Sequence, residues 1–206
     1  SPGGEVVSPL NVGALGGSAL TAIFREAGRP LLMPYAVGGY PDPASCLAIL
    51  REYLKGGADL IEVGIPFSDP LADGPVIQSA SQVALAQGVR PLDVLELVRT
   101  VAADGARVVL LSYLNIIRAL GAERFFDRCR ECGVLGVVVP DVPVEEAGYF
   151  QETARARGVD VILLAAPTST DARLARIAEA ARGFIYCVST TGGTGARASL
   201  RGDLPE

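Results

Sequence analysis

Two hydrophobic patterns alternate along the chain: short continuous apolar runs, and longer stretches in which apolar residues recur every three or four positions. The first run extends from Leu31 to Val37 and closes on Gly38-Gly39. Asp42 then reads as a helix N-cap and Pro43 as the first helical residue. Leu47, Leu50 and Leu54 share one face before Gly56-Gly57 stops the helix. A second run, Leu60 to Ile65, leads into a polar insertion and a helix from about Pro75 to Gln87, ended by Gly88. A further helix carries Leu92, Leu95, Val98 and Val101 on one face and ends near Gly105. Four more runs follow, at Val108 to Leu111, Gly136 to Val139, Val161 to Ala165 and Phe184 to Val188. Between the last two, Ser169 or Thr170 caps a helix through Leu174, Ile177 and Ala181.

Strands apolar on both faces and alternating with helices predict a parallel sheet covered by helices, an α/β fold. Most units recur at roughly 25–28 residues, the length of a strand, a helix and two short loops. Two architectures compete: an open doubly wound sheet, and a TIM (β/α)8 barrel of which six βα units are present. No G-x-G-x-x-G follows the first strand, which weakens a dinucleotide site, and no G-x-x-x-x-G-K-[ST] is present to make a P-loop. Gly, Pro and polar residues gather at the C-terminal ends of the strands, where either architecture places its site.

Composition narrows the chemistry. A formal charge of −5, from 18 basic and 23 acidic side chains, argues against a nucleic-acid or anionic-membrane surface. The chain has no histidine, so a Ser-His-Asp triad, a Cys-His pair and a His-ligated zinc are all excluded. Acid–base work falls to carboxylates, Tyr, Lys or Cys. Four cysteines are too few for a disulfide scaffold, and Cys129-x-x-Cys132 has no second pair nearby, so reduced cysteines packed between helix and sheet are expected. With no secretory pattern and no run of about 18 apolar residues, the expectation is a soluble cytoplasmic protein. Residues 1–17, rich in Gly, Pro and Ser, read as a flexible leader, and residues 18–206 as the barrel domain. At 206 residues the chain is short for a closed barrel, which typically needs about 250.

One residue breaks the apolar pattern. Glu62 lies inside the second strand between Ile61 and Val63, with no Lys or Arg close in sequence. Such a carboxylate is either paired across the barrel with an arginine distant in sequence or held at an unusual pKa as a catalytic acid or base. Asp73 follows in the loop Pro66-Phe67-Ser68-Asp69-Pro70-Leu71-Ala72-Asp73-Gly74-Pro75. Turn-making, or capping the helix at Pro75, accounts for Asp73 taken alone. Together the two acids are the minimum kit for acid–base chemistry without histidine. The glycine-rich stretch Ser189-Thr190-Thr191-Gly192-Gly193-Thr194-Gly195 reads as an anion-approaching lid or as an ordinary surface loop.

The run Leu60 to Gln78, with Asp141-Val142-Pro143-Val144-Glu145-Glu146, Ala166-Pro167-Thr168-Ser169 and Tyr186 to Gly195, closely resembles the tryptophan synthase alpha subunit family. The likeness extends over about Leu31 to Arg197. It implies a TIM barrel that cleaves indole-3-glycerol phosphate to indole and glyceraldehyde 3-phosphate, a retro-aldol lyase reaction in tryptophan biosynthesis needing neither metal nor organic cofactor. By the same resemblance Glu62 is the general acid/base and Asp73 receives the indole N–H. Tyr35 and Tyr186 line the indole pocket, Thr194 is a lid threonine that bonds the aspartate on closure, and Gly195 contacts the phosphate. The implied partner is a pyridoxal-phosphate-dependent beta subunit in an alpha2-beta2 complex, receiving indole through a tunnel. Pro66 to Asp73 and the loop near Asn115 are then expected to face it.

Three positions depart from the family pattern: Ile116 in Asn115-Ile116-Ile117 where proline is common, Gly193 where valine is usual, and Val83 where arginine is frequent. Counterparts of the seventh and eighth strands, which hold most of the phosphate, are also not found. This sets up a second expectation beside the lyase: a non-catalytic barrel that docks on the beta subunit and modulates it.

Overall fold

The computed structural model describes residues 18–70 and 73–188. Within them, six strands alternate with helices. In chain order they are α1 (Ala19–Ala27), β1 (Tyr35–Val37), α2 (Pro43–Lys55), β2 (Ile61–Gly64), α3 (Pro75–Ala86), α4 (Pro91–Ala103) and β3 (Val108–Leu111). Then come α5 (Leu114–Leu120), α6 (Ala122–Glu131), β4 (Val134–Val138), α7 (Ala147–Arg155), β5 (Asp160–Ala165), α8 (Asp171–Ala180) and β6 (Ile185–Cys187). The strands form one sheet in the order β1-β2-β3-β4-β5-β6, every neighbour parallel. A doubly wound sheet reverses its strand order partway. This sheet never does, so its connectivity is that of a β/α barrel, with six units present.

The two faces of the sheet carry different side chains. Ile61, Val63 and Ile65 of the β2 segment, Val108 and Leu110 of β3, and Val161 and Leu163 of β5 pack outward with Val94, Leu95 and Val98 of α4 and Phe125 and Phe126 of α6. The alternate positions Leu60, Val109, Val138 and Ile162 face inward and meet Leu20 of α1, with Tyr186 and Leu164 packed beside them. Because side chains alternate along a strand, Glu62 and Gly64 share the inward face with Leu60. The position of Glu62 in the barrel interior therefore follows from the period-two pattern.

The starts of α2 and α8 follow the capping chemistry expected. The Asp42 carboxylate accepts from the Ser45 N–H at 2.9 Å, with Pro43 in the first turn, and α2 ends before Gly56. Of the two candidates for α8, Thr170 is the cap, accepting from the Arg173 N–H, while Ser169 receives the Ala166 N–H in the preceding turn. The first strand is shorter than its apolar run because Pro34 has no N–H to give the ladder, although its carbonyl still accepts from the Glu62 N–H at 2.9 Å.

α1 was not anticipated from the hydrophobic runs. Ser18 caps it, accepting from the Thr21 N–H at 3.1 Å, and the Ser18 hydroxyl donates to the buried Asp160 carboxylate at 2.5 Å. Leu20, fully buried, plugs the N-terminal end of the barrel. Two glycines make room for it: a Cβ on Gly136 or Gly183 would lie 3.0 and 2.8 Å from the Leu20 side chain. Cys46, Cys129 and Cys132 are buried free thiols, as expected, whereas Cys187 is exposed on β6. No helix among the described residues is long and apolar enough to cross a membrane.

Candidate active site

Glu62 sits mid-strand on β2, in register with Tyr35 on β1 and Val109 on β3. Only 2% of it is exposed, and among the described residues its Oε1 has no hydrogen-bond partner. The expectation of a cross-barrel arginine is thus not met: no salt bridge to Glu62 is present among the described residues, whose ion pairs lie on the outer surface. Burial pushes the Glu62 carboxyl up to about 7, and the nearby Asp73 charge adds to the push. A carboxyl in that range is half-protonated at neutral pH and can both give and take a proton.

Asp73 stands beyond the C-terminal end of β2, at the foot of α3. It is not the cap of that helix. Gly74 occupies the N-cap position with no side-chain hydrogen bond, and Pro75 fills the first turn. The Asp73 carboxylate instead accepts from the Tyr113 hydroxyl, which draws its pKa down against the larger upward push of burial. Gln78, one turn into α3, donates to the Asp73 carbonyl at 2.8 Å and fixes the backbone at the same point.

Tyr113 was missed by sequence reasoning. It is 1% exposed, caps the C-terminal end of the β3 segment before α5, and stacks on Phe67 with ring centroids 5.0 Å apart. A buried tyrosine whose ring packs while its hydroxyl finds an acceptor is a positioning element. The available signal was its place: an aromatic with a polar tip two residues past the end of a barrel strand. Asp141, in a motif that supported the resemblance, has a local task, its carboxylate accepting from the Leu114 N–H at 2.8 Å at the start of α5.

Tyr35 and Tyr186 join the two acids. Burial, then the charges of Asp73 and Glu62, hold the Tyr35 phenol protonated well above the ordinary tyrosine range, with Tyr113 and Tyr186 contributing. Tyr186 is pushed up to about 12 by burial, then by Glu62 and Asp73. Four of the expected site residues therefore form one mutually interacting cluster at the C-terminal side of the barrel interior. The other two, Thr194 and Gly195, lie outside the described residues, as do the leader at 1–17 and the departure at Gly193.

Comparison with known proteins gives the same direction. A family model described as "Tryptophan synthase alpha chain" matches residues 22–206. The tryptophan synthase alpha chain of Prochlorococcus marinus (strain MIT 9313) is 49% identical over 174 residues, covering 84% of this chain and 63% of that protein. That of Synechocystis sp. is 46% identical over 187 residues, covering 89% and 71%. A solved Mycobacterium tuberculosis tryptophan synthase superposes with a TM-score of 0.83 at 39% identity, over 88% of this chain and 72% of that one. A Legionella pneumophila tryptophan synthase subunit alpha gives 0.77 at 35% identity, over 82% and 66%. The chain thus spans about two thirds of the length of the relatives it matches, and its six parallel units superpose on their TIM barrels. On the extent of the family match and this level of identity, the chain belongs to the tryptophan synthase alpha chain family.

Proposed function

We propose that this chain carries the retro-aldol chemistry of its family, cleaving indole-3-glycerol phosphate to indole and glyceraldehyde 3-phosphate. The observation that supports this most is Glu62: a carboxyl buried on the interior face of β2, with one oxygen unpartnered among the described residues and poised near neutrality. A protein does not keep such a group for stability, because burying it unpaired is costly.

In the proposed sequence, neutral Glu62 donates its proton to C3 of the indole ring, giving the indolenine tautomer with positive charge on the ring nitrogen. The Asp73 carboxylate accepts the ring N–H and offsets that charge. Glu62, now ionised, takes the proton of the hydroxyl next to the ring. The bond from C3 to that carbon breaks, its electron pair returns to the ring as indole, and the hydroxyl oxygen becomes the aldehyde carbonyl. Glu62 ends as it began, protonated. The division of labour needs Glu62 neutral while Asp73 is ionised, and the Tyr113 hydroxyl bond pulls Asp73 toward ionisation while Glu62 has no such donor among the described residues.

Tyr35 and Tyr186 form the aromatic walls in this reading, and Thr194 and Gly195 the lid and phosphate contacts. The proposed partner is a pyridoxal-phosphate-dependent beta subunit, met by the loop from Pro66 to Asp73 and by the exposed Asn115 at the start of α5. The buried free thiols suit a reducing, cytoplasmic setting. The test is release of indole from indole-3-glycerol phosphate by the unmodified chain and by Glu62→Gln. Turnover lost in the variant supports the reading. Equal turnover in both contradicts the role of Glu62, and no turnover with a retained effect on beta-subunit activity supports the docking-only alternative.

A further inference from the structure

Gly64 lies two residues beyond Glu62 on the same inward face of β2, and something occupies the space its missing side chain leaves. A Cβ placed there would fall 2.1 Å from the Tyr35 hydroxyl and 2.8 Å from its Cζ. The Tyr35 ring therefore crosses from β1 onto β2 and lays its phenol tip against bare backbone, next along the strand from the Glu62 carboxyl. No hydrogen bond from this hydroxyl is found among the described residues. Its backbone is anchored from behind, the Tyr35 carbonyl accepting from the Tyr53 hydroxyl of α2 at 3.4 Å. A wall of an apolar pocket needs only a ring; here a donor is fixed at a set height beside the acid, and a glycine is kept opposite it.

We propose that the Tyr35 hydroxyl is a second, oxygen-directed group of the site: it donates a hydrogen bond to the side-chain hydroxyl oxygen from which Glu62 takes its proton. This rests on the lyase reading above and adds a role that a pocket-lining aromatic would not have. As the proton leaves for Glu62 and the carbon–carbon bond breaks, negative charge builds on that oxygen before it becomes the carbonyl. A phenol donor stabilises that charge without itself transferring a proton, the function of an oxyanion-hole donor. Burial and the two neighbouring carboxylates keep the phenol protonated across the working pH range, so the donor is always present. Gly64 is then a specificity device, since any side chain there displaces the phenol from β2.

The test compares Tyr35→Phe, which keeps the ring, with the unmodified chain on two probes. One is indole-3-glycerol phosphate, followed by indole release. The other is the analogue lacking the hydroxyl next to the ring, followed by equilibrium binding. The expected result is a fall in kcat of roughly 10- to 100-fold with the phosphate ester and unchanged affinity for the deoxy analogue. Gly64→Ala should show the same kinetic loss by a different route, and Tyr35→Phe should unfold at an unchanged denaturant midpoint. Unaltered kcat in Tyr35→Phe overturns the proposal while leaving the lyase reading intact. Equal weakening of both probes assigns the hydroxyl to general binding and also overturns it. Failure of the unmodified chain and of Glu62→Gln to differ overturns the lyase reading, and this inference with it.

Discussion

Asp160 and Glu62 are both buried acids on inward-facing strand positions of the same barrel, Asp160 at the start of β5 and Glu62 within β2. Burial raises both carboxyls, but the surroundings differ. At Asp160 the Ser18 hydroxyl and the Arg182 charge pull back against burial, and the bonded serine is also the cap of α1. At Glu62 nothing pulls back: one oxygen has no partner among the described residues, and the nearest charge, Asp73, pushes the same way. The N-terminal end is thus closed by a leucine plug and a satisfied acid. The C-terminal end is lined with an unsatisfied acid and three tyrosines. Stability is built into one end and stored against in the other, the usual arrangement of a β/α barrel.

Glu62→Gln should give the largest effect, a loss of indole release of 10³-fold or more, on the order of what removing an essential proton carrier costs. The same substitution should stabilise the fold at high pH. With the folded Glu62 carboxyl at about 7 against an ordinary 4.5, the unfolded chain releases its proton first as pH rises. The contribution of the neutral form is therefore fully present below about 4.5 and lost progressively up to about 7. Urea unfolding should show Glu62→Gln more stable than the unmodified chain at pH 8, by up to about 3 kcal/mol, and nearly equal at pH 4.

At the opposite end, Leu20→Ala should cost about 2–5 kcal/mol, because the plug is fully buried and the surrounding strands cannot collapse into the space. Denaturant midpoints measure it, and a loss under 1 kcal/mol would show that α1 is peripheral. Tyr113→Phe should be gentler. Burial already raises the Asp73 pKa, and removing the hydroxyl that opposes it raises it further, so the acid limb of the pH–rate profile moves to higher pH. Activity should then fall more on the acid side of the profile than at pH 8, with folding nearly unchanged. A uniform drop at all pH values would mean that Tyr113 only packs. The smallest effect belongs to Ser18→Ala, which leaves Asp160 short of one donor at a cost of about 1–2 kcal/mol at neutral pH, read by urea unfolding.

The contrast between the two ends also explains what sequence could reveal. Glu62 was legible because a carboxylate in a run of Leu60, Ile61, Val63 and Ile65 violates the rule that buried charges are paired, and that violation is local in the chain. The six strands were legible for the same reason, each being a contiguous apolar run. The plug was not. Leu20 finds its partners at Gly136, Asp160, Ile162 and Gly183, residues far along the chain, so nothing local to the nine-residue helix announces them. Tyr113 escaped for a related reason, since its bond to Asp73 spans two different βα units. Taken alone, Asp73 reads as a turn residue or a cap, and Gly74 occupies the cap position instead. Resemblance supplied the role of Asp73, where periodicity could not.

The central claim is that Glu62 is held near neutrality as an unpaired acid, and its titration tests that most directly. Carbon-13 labelling of glutamate, with Glu62 assigned by comparison with Glu62→Gln, lets the side-chain carboxyl be followed by NMR from pH 3 to pH 9. A midpoint near 7 that moves down in Asp73→Asn, as the loss of a neighbouring charge requires, is the expected result. A midpoint in the ordinary glutamate range near 4.5, unmoved by Asp73→Asn, would contradict it.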